Sequence, residues 1–199
     1  MPISRTIREQ VTGQLRDEVV GGQLAPGSVL REAELAARFG VSRGPIRDAF
    51  LQLSNEGYLA YQPNRGVTVR HPPDQADREF IAALRRQIEG HVTARGVPSI
   101  DDSSLEDIRS LLVDLQIACN RGDTAAVRRC DLAFHEAILT ACGGQSLIPA
   151  WKQLCSRMAF SYERLSGYKD VYTEHEKIFR DLESRDADAL REGLRANII

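Results

Sequence analysis

Apolar residues recur every three to four positions along most of this chain, which is the spacing of one face of an α-helix. Near the N-terminus such a stripe predicts a helix over about 4–21, formed by Ile7, Val11, Leu15 and Val19. Further along, the same periodicity predicts six helices, at about 77–95, 101–120, 123–142, 144–165, 170–184 and 187–198. The short breaks between them are typical of an all-α, six-helix antiparallel bundle.

Two short helical stripes separated by Gly40 lie between residues 31 and 55. The first stripe consists of Leu35, Ala36 and Phe39, and the second of Ile46, Ala49, Phe50 and Leu53. Ser42 stands where a side-chain cap would begin the second helix. Arg43 and Arg47 lie one turn apart beside the second stripe, so both point outward near a helix end that attracts phosphate. This pattern is typical of a helix-turn-helix that reads DNA.

A change to strand-like sequence follows directly. Residues 58–62 and 67–70 predict two strands joined by a tight turn, so the segment resembles the wing of a winged helix. Asn64 and Gly66 tolerate the positive φ values of a hairpin turn, which leaves Arg65 exposed at the tip. An arginine at that place can enter the minor groove of DNA. The N-terminal part is therefore predicted to be a winged helix-turn-helix, and the whole chain mainly α.

These residues resemble the GntR superfamily of bacterial transcription regulators. The resemblance rests on residues 24–28, on Gly40-Val41-Ser42-Arg43 with Pro45 and Arg47, and on Pro63-Asn64-Arg65-Gly66. It implies that Arg43 and Arg47 contact an operator, that Ser42 and Gly44 lie close to the DNA backbone, and that the wing turn, with Asn64, Arg65 and Gly66, lies near the minor groove. Some relatives carry a further operator-contacting arginine where this chain has Ala33.

Charge is unevenly distributed along the 199 residues, whose formal net charge is −2. Residues 1–70 carry a net charge of +2 with arginine as the only cation, and residues 71–199 carry −4. A weakly basic N-terminal part joined to an acidic C-terminal part indicates that only the N-terminal part contacts DNA. Arginine suits bidentate hydrogen bonding to guanine or phosphate.

Hydropathy and cysteine spacing indicate the expected cellular location and the state of the cysteines. The chain has no stretch near the ~18 apolar residues of a membrane span and no apolar core of a secretion signal, so a cytoplasmic location is expected. The four cysteines show no paired C-x-x-C spacing, which favours buried thiols over disulfides or a zinc knuckle.

The boundary between the two parts is expected at the segment 72–76, where Pro72 and Pro73 prevent a helix from continuing out of the wing. We therefore expect a winged-helix domain over 1–71, a short linker over 72–76, and an all-helical effector-binding and dimerisation domain over 77–199.

One group of residues in the bundle could hold a divalent cation. Asp131 and His135 lie one turn apart on the inward face of one predicted helix, and His175 faces inward on a later one. Asn197 takes a similar inward position on the last helix. An acid, two imidazoles and an amide from three helices form a feasible ligand set. A buried Asp–His pair that only satisfies its own hydrogen bonds remains the alternative.

Residues 77–199 resemble the FadR-type C-terminal ligand-binding domain, called FCD. The D-x-x-x-H element is matched by Asp131 and His135, and the E-H element by Glu174 and His175. The last element departs from the pattern, because Asn197 stands where most metal-binding relatives have histidine. The resemblance implies a metal ion, such as zinc, nickel or manganese, with Asn197 as a weaker fourth ligand or as the partner of a metal-bound water.

The same resemblance implies a small carboxylate effector. Arg85 matches a position where relatives often have arginine, and Arg157 could supply a second positive group. We expect a homodimer, because one recognition helix reads one half-site and a two-fold protein matches a palindromic operator.

The resulting expectation is a transcription regulator, a repressor rather than an enzyme, whose operator affinity a bound acid changes. Two alternatives are a DNA-binding module on a purely structural dimerisation bundle, and a metal-dependent enzyme domain with two histidines and a carboxylate as metal ligands. The known iron sites of the latter kind usually lie on β-barrels, whereas this region is helical.

Overall fold

The computed structural model describes residues 6–62, 66–159 and 168–198. They form two compact units whose main division falls between Asp74 and Gln75. Among the described helices, none combines the length and the apolar character needed to cross a membrane.

The first unit contains three helices and a small sheet. Its helices are α1 (Ile7–Val20), α2 (Glu32–Phe39) and α3 (Arg43–Asn55), and its strands are β1 (Val29–Leu30), β2 (Leu59–Gln62) and β3 (Gly66–Val69). The strands are antiparallel in the order β1-β3-β2. The helix-turn-helix and the wing strands are confirmed, while β1 is an addition that sequence patterning missed, because two residues cannot show an alternation.

Local chemistry explains most of these helix boundaries. A capping box between Thr6 and Glu9 begins α1. Gly40 ends α2 in the left-handed region, at φ 65°. Ser42 occupies the N-cap position of α3, but its side chain makes no capping hydrogen bond, so the predicted cap is wrong in that respect. The predicted apolar stripes form the core, with Leu15, Ile46 and Leu53 fully buried, except that Ile7 in the first turn of α1 is exposed.

Among the described residues the second unit contains six helices, as predicted, although the last residues of one of them, from Ser156 onward, are grouped with the first unit. They are α4 (Gln75–Gly96), α5 (Asp102–Arg121), α6 (Thr124–Ala141), α7 (Ile148–Ala159), α8 (Tyr168–Glu183) and α9 (Ala187–Asn197), with a 3-10 turn at Val97–Ser99. The side chains of Asp101, Asp123 and Asp186 cap the N-termini of α5, α6 and α9. Helix α7 begins at Ile148 rather than at 144, because Gly143 has a positive φ and Pro149 suits a first helical turn.

The helices of this unit surround one apolar core. Helix α5 packs against α6 and α8, and α4 packs against α6 and α9. At the end of α4 the backbone approaches Cys142 so closely that a Cβ on Gly96 would overlap the Cys142 carbonyl group. All four cysteines are free thiols; three are buried, as predicted, whereas Cys130 is only half-buried. This packing brings residues of α4, α6, α8 and α9 together at the centre of the unit.

Candidate functional site

The outer face of α3 carries the residues predicted to touch DNA. Ser42, Arg43, Gly44 and Arg47 are all exposed, at or near the N-terminal end of the helix. Gly66 begins β3 with φ +87°, the left-handed value that a hairpin turn requires. Asn64 and Arg65, the other two predicted wing residues, lie outside the described residues.

Arg47 is held by a residue that the sequence analysis did not identify. Its Nε and Nη2 atoms donate to the two carboxylate oxygens of Glu32, at 3.0 and 2.8 Å. The hydrogen bonds from Arg47, together with the charges of Arg47 and Arg43, lower the pKa of Glu32. The planar head of Arg47 is therefore fixed sideways against α2, while 68% of its side chain remains exposed.

The predicted acid–imidazole cluster assembles in the core of the second unit. Asp131 and His135 come from α6 and His175 from α8, and all three are buried. One ligand atom from each lies within 4.8 Å of the other two. Phe134, also buried, contacts the edges of both imidazole rings. The cluster is thus screened from water on that side by an aromatic ring.

His175 presents one ring nitrogen to the cluster. Its Nδ1 donates to the Val171 carbonyl oxygen at 2.7 Å, so Nε2 is the ring nitrogen available to a ligand. That buried Nε2 lies 2.8 Å from Asp131 Oδ1, but within the described chain it has no hydrogen-bond partner of adequate direction. Two such atoms at 2.8 Å need a proton or a metal ion between or beside them.

His135 is oriented in the same way by a carboxylate. Its Nδ1 lies 2.8 Å from Glu89 Oε2, and its Nε2 lies 3.1 Å from Asn197 Oδ1 and 4.0 Å from Asp131 Oδ1. Asn197 Nδ2 donates to Glu174 Oε2 at 2.9 Å, which turns the amide oxygen toward the cluster. Asn197, on α9, therefore lies where the sequence analysis expected a fourth ligand.

The donor set suits a divalent cation. It comprises two imidazole nitrogens, a carboxylate oxygen and an amide oxygen, and each histidine is anchored through its other nitrogen, as metal-binding histidines almost always are. Burial raises the pKa of Asp131, but His175, His135 and Arg85 outweigh it and hold that pKa below the usual range. Asp131 is therefore an anion, the form that binds metal.

Glu89, on α4, is the central residue that sequence reasoning missed. Its Oε1 accepts from Arg85 Nε and from Trp151 Nε1, each at 2.7 Å, while its Oε2 faces His135. Burial raises the pKa of Glu89, but the charges of Arg85 and His135 and the hydrogen bonds from His135 and Trp151 lower it to about 2. The i,i+4 spacing of Arg85 and Glu89 was the available signal in the sequence.

Arg85 and Arg157 are the two arginines predicted to bind an effector. Arg85 is buried, and its charge lies 5.6 Å from the centre of the Trp151 ring. Its Nη2 is buried without a hydrogen-bond partner among the residues that the structure describes. Arg157 lies in the last turn of α7 and is half-buried. The Nη2 group of Arg85 is therefore available to donate a hydrogen bond to a ligand.

Two family descriptions match this chain. Bacterial regulatory proteins of the gntR family match residues 7–69, and the FCD domain matches residues 80–198. The HTH-type transcriptional repressor RspR of Escherichia coli (strain K12) is 28% identical over 195 residues, covering 96% of this chain and 85% of RspR. A probable D-xylose utilization operon transcriptional repressor of Paenarthrobacter nicotinovorans is 29% identical over 156 residues, covering 75% of this chain and 67% of that protein.

Solved structures share the fold over nearly the whole length. E. coli McbR/YncC has a TM-score of 0.78 at 24% identity, covering 98% of this chain and 94% of McbR. A putative transcriptional regulator GntR from Rhodococcus sp. RHA1 has a TM-score of 0.75 at 23% identity, covering 96% and 93%. The predicted fold class is confirmed by these likenesses.

Proposed function

Since the chain belongs to the GntR family of bacterial regulatory proteins and carries an FCD domain, we propose that it is a repressor whose operator affinity changes when a small carboxylate binds beside a metal ion. The proposed domains are DNA-binding over 1–71, a linker over 72–76, and effector binding and dimerisation over 77–199, although α4 already begins at Gln75 within the expected linker. The protein acts in the cytoplasm, where the bacterial chromosome lies.

The observation that carries the effector half of this proposal is the orphaned His175 Nε2. It is buried, it faces Asp131 at 2.8 Å, and the structure offers it no hydrogen bond among the described residues. A buried polar atom of this kind destabilises a protein unless a ligand or an ion satisfies it. Asp131, His135 and His175 would hold the metal, and Asn197 would be the fourth and weakest ligand.

Charge balance explains why an acid would need the metal. Arg85 and Glu89 neutralise each other, and imidazoles that bind a metal are neutral, so without the charge of the ion the ligand set would carry the negative charge of Asp131 and repel an anion. A divalent ion makes the cluster net positive and provides a Lewis-acidic contact for a carboxylate. Arg85 Nη2 then supplies the directional hydrogen bond that a carboxylate oxygen accepts.

The DNA half of the proposal rests on the exposed face of α3. Arg43 and Arg47 read base edges in the major groove, Ser42 and Gly44 approach the backbone, and the wing turn approaches the minor groove. A homodimer brings two such faces to the half-sites of a palindromic operator. The bound acid changes operator affinity by favouring one arrangement of the two DNA-binding domains of the dimer. We expect a 5- to 150-fold change in operator affinity, which is the typical range of allosteric coupling.

Metal content is the first test. Purified wild type should contain about one zinc, nickel or manganese ion per subunit by elemental analysis, and His175→Ala should lose it. His91→Ala is the matched control, because His91 is an exposed histidine of α4. If wild type takes up none of these metals, the cluster is a set of core hydrogen bonds and the bundle serves dimerisation alone.

Operator binding is the second test. An operator is first selected from random duplexes with wild-type protein, and its affinity is then measured with and without a panel of organic acids. An acid should change the affinity of wild type and not that of His175→Ala. Equal effects on both proteins would exclude the metal from the sensor, and turnover of an acid would indicate an enzyme instead.

A further inference from the structure

Glu89 contacts both halves of the proposed effector site at once. Only 1% of the residue is exposed, and both carboxylate oxygens are engaged. Oε2 faces His135 Nδ1 at 2.8 Å, and Oε1 accepts the Arg85 Nε–H at 2.7 Å. A buried ion pair alone is weak evidence for a stabilising role, because desolvation offsets much of the attraction. Its place between two groups that bind ligands suggests another role.

The hydrogen bond to His135 determines which ring nitrogen is free. A carboxylate at Nδ1 keeps a proton there, so Nε2 is the nitrogen that faces Asp131 and Asn197. Without a metal, Nε2 donates to Asn197 Oδ1 at 3.1 Å, and a metal bound to Nε2 would replace that proton. The negative charge of Glu89 also makes the imidazole a better electron donor. Without that acceptor, the ring of His135 could place its proton on Nε2, where it would block a metal.

The same carboxylate determines how Arg85 is presented. By accepting from Nε, Glu89 fixes the plane of the guanidinium and leaves Nη2 as the atom without a partner. We propose that Glu89 is the positioning residue of the effector site, holding His135 ready for the metal and Arg85 ready for the acid. This inference rests on the proposed metal-binding function.

Trp151 provides an optical probe of Glu89. It is the only tryptophan of the chain, it is 1% exposed, and its Nε1–H donates to Glu89 Oε1 at 2.7 Å. Arg85 lies over the ring of the same indole. Any change in the charge or position of Glu89 therefore alters the environment of the single indole, and its fluorescence reports on Glu89 directly.

The experiment titrates metal-free protein with Zn²⁺ against a chromophoric chelator while Trp151 emission is recorded. Glu89→Gln keeps the size of the side chain and removes its charge. We expect zinc affinity to fall by about 10- to 100-fold, the usual effect of losing the partner of a metal-bound histidine, and the Trp151 response to shrink. Glu183→Gln is the matched control, because Glu183 of α8 also forms an ion pair with an arginine, Arg109, but this pair is exposed rather than buried. It should bind zinc like wild type.

The outcomes separate this inference from the proposed function. If wild type binds no zinc, both fail. If wild type binds zinc and Glu89→Gln binds it within about threefold of wild type with the same Trp151 response, metal binding stands and the role of Glu89 is refuted.

A further pair of variants covers the case in which Glu89→Gln does not fold. Replacing both Arg85 and Glu89 by methionine removes the buried charges together, which proteins often tolerate. The double variant should fold and still bind zinc at least tenfold more weakly. Arg85→Met alone keeps the bond between Glu89 and His135, so its zinc affinity should be at least that of wild type. An equal loss in Arg85→Met would assign the effect to the ion pair and refute the inference.

Discussion

Replacing Arg47 by lysine separates base reading from simple charge attraction. Lysine keeps the positive charge on α3 but loses the planar fork that can donate two parallel hydrogen bonds to guanine. In the structure, Glu32 occupies Nε and one hydrogen of Nη2, which leaves Nη1 and the second Nη2 hydrogen directed outward. Those outward donors are the pair that would contact a base edge.

The magnitude follows from counting these donors. One bidentate contact to a base changes affinity by about 5- to 150-fold. If DNA had to displace Glu32 from Arg47, breaking that exposed ion pair would reduce operator affinity by at most about fivefold. Arg47→Lys should therefore weaken operator binding by about 5- to 150-fold and leave affinity for unrelated DNA unchanged, because the charge remains. The slope of log affinity against log salt should change by less than about one.

The assay is fluorescence anisotropy with the selected operator and a scrambled duplex, at several salt concentrations. Arg47→Ala should lose affinity for both duplexes, since it removes the charge as well. Arg109→Lys is the control, because Arg109 is another exposed arginine paired with a glutamate, on α5 of the second unit. Wild-type discrimination in Arg47→Lys would show that Arg47 contacts phosphates and that the bases are read elsewhere.

Three further predictions concern the second unit. Gly96→Ala should lower the free energy of unfolding by about 1–3 kcal/mol in urea titrations, because its Cβ would meet the Cys142 carbonyl. Gly90→Ala is the control, because its Cβ would make only ordinary van der Waals contacts. This variant should leave the free energy of unfolding unchanged or raise it by up to about 1 kcal/mol. Trp151→Phe should cost about 1.5–3 kcal/mol by the same measurement, since the indole donates to a buried carboxylate. Asn197→His should raise zinc affinity in the chelator assay, because imidazole binds zinc better than an amide, and unchanged affinity would place residue 197 outside the ligand set.

The periodicity of the sequence was sufficient to predict which polar side chains face the core of the bundle. The spacing of a residue from the apolar residues of its own helix shows whether it faces inward. Asp131, His135 and His175 could therefore be assigned to the core before any tertiary contact was known. Asn197 followed from the same argument. The resemblance to FCD domains supplied the reason to group four residues that are far apart along the chain.

The partners of these residues could not be predicted in this way. Glu89 contacts His135 across 46 residues and Trp151 across 62, and no local pattern distinguishes such a pair from many others. A charged residue on an amphipathic helix is usually solvated, so Glu89 had no reason to be placed in the core. Glu32 was missed for a similar reason, since the contact with Arg47 depends on the angle between α2 and α3.

Helix α9 completes the ligand cluster with Asn197, and Arg86 of α4 donates to the carbonyl oxygen of Ile198 directly after it. The winged helix occupies residues 7–69, so the ribosome releases it well before α9. Synthesis from residue 69 to Asn197 adds 128 residues, which takes roughly 6–26 s at about 5–20 residues per second. During that interval each nascent chain can carry a folded DNA-reading head without a finished sensor. A message broken before the α9 codons would yield a DNA-binding domain without the complete proposed effector site.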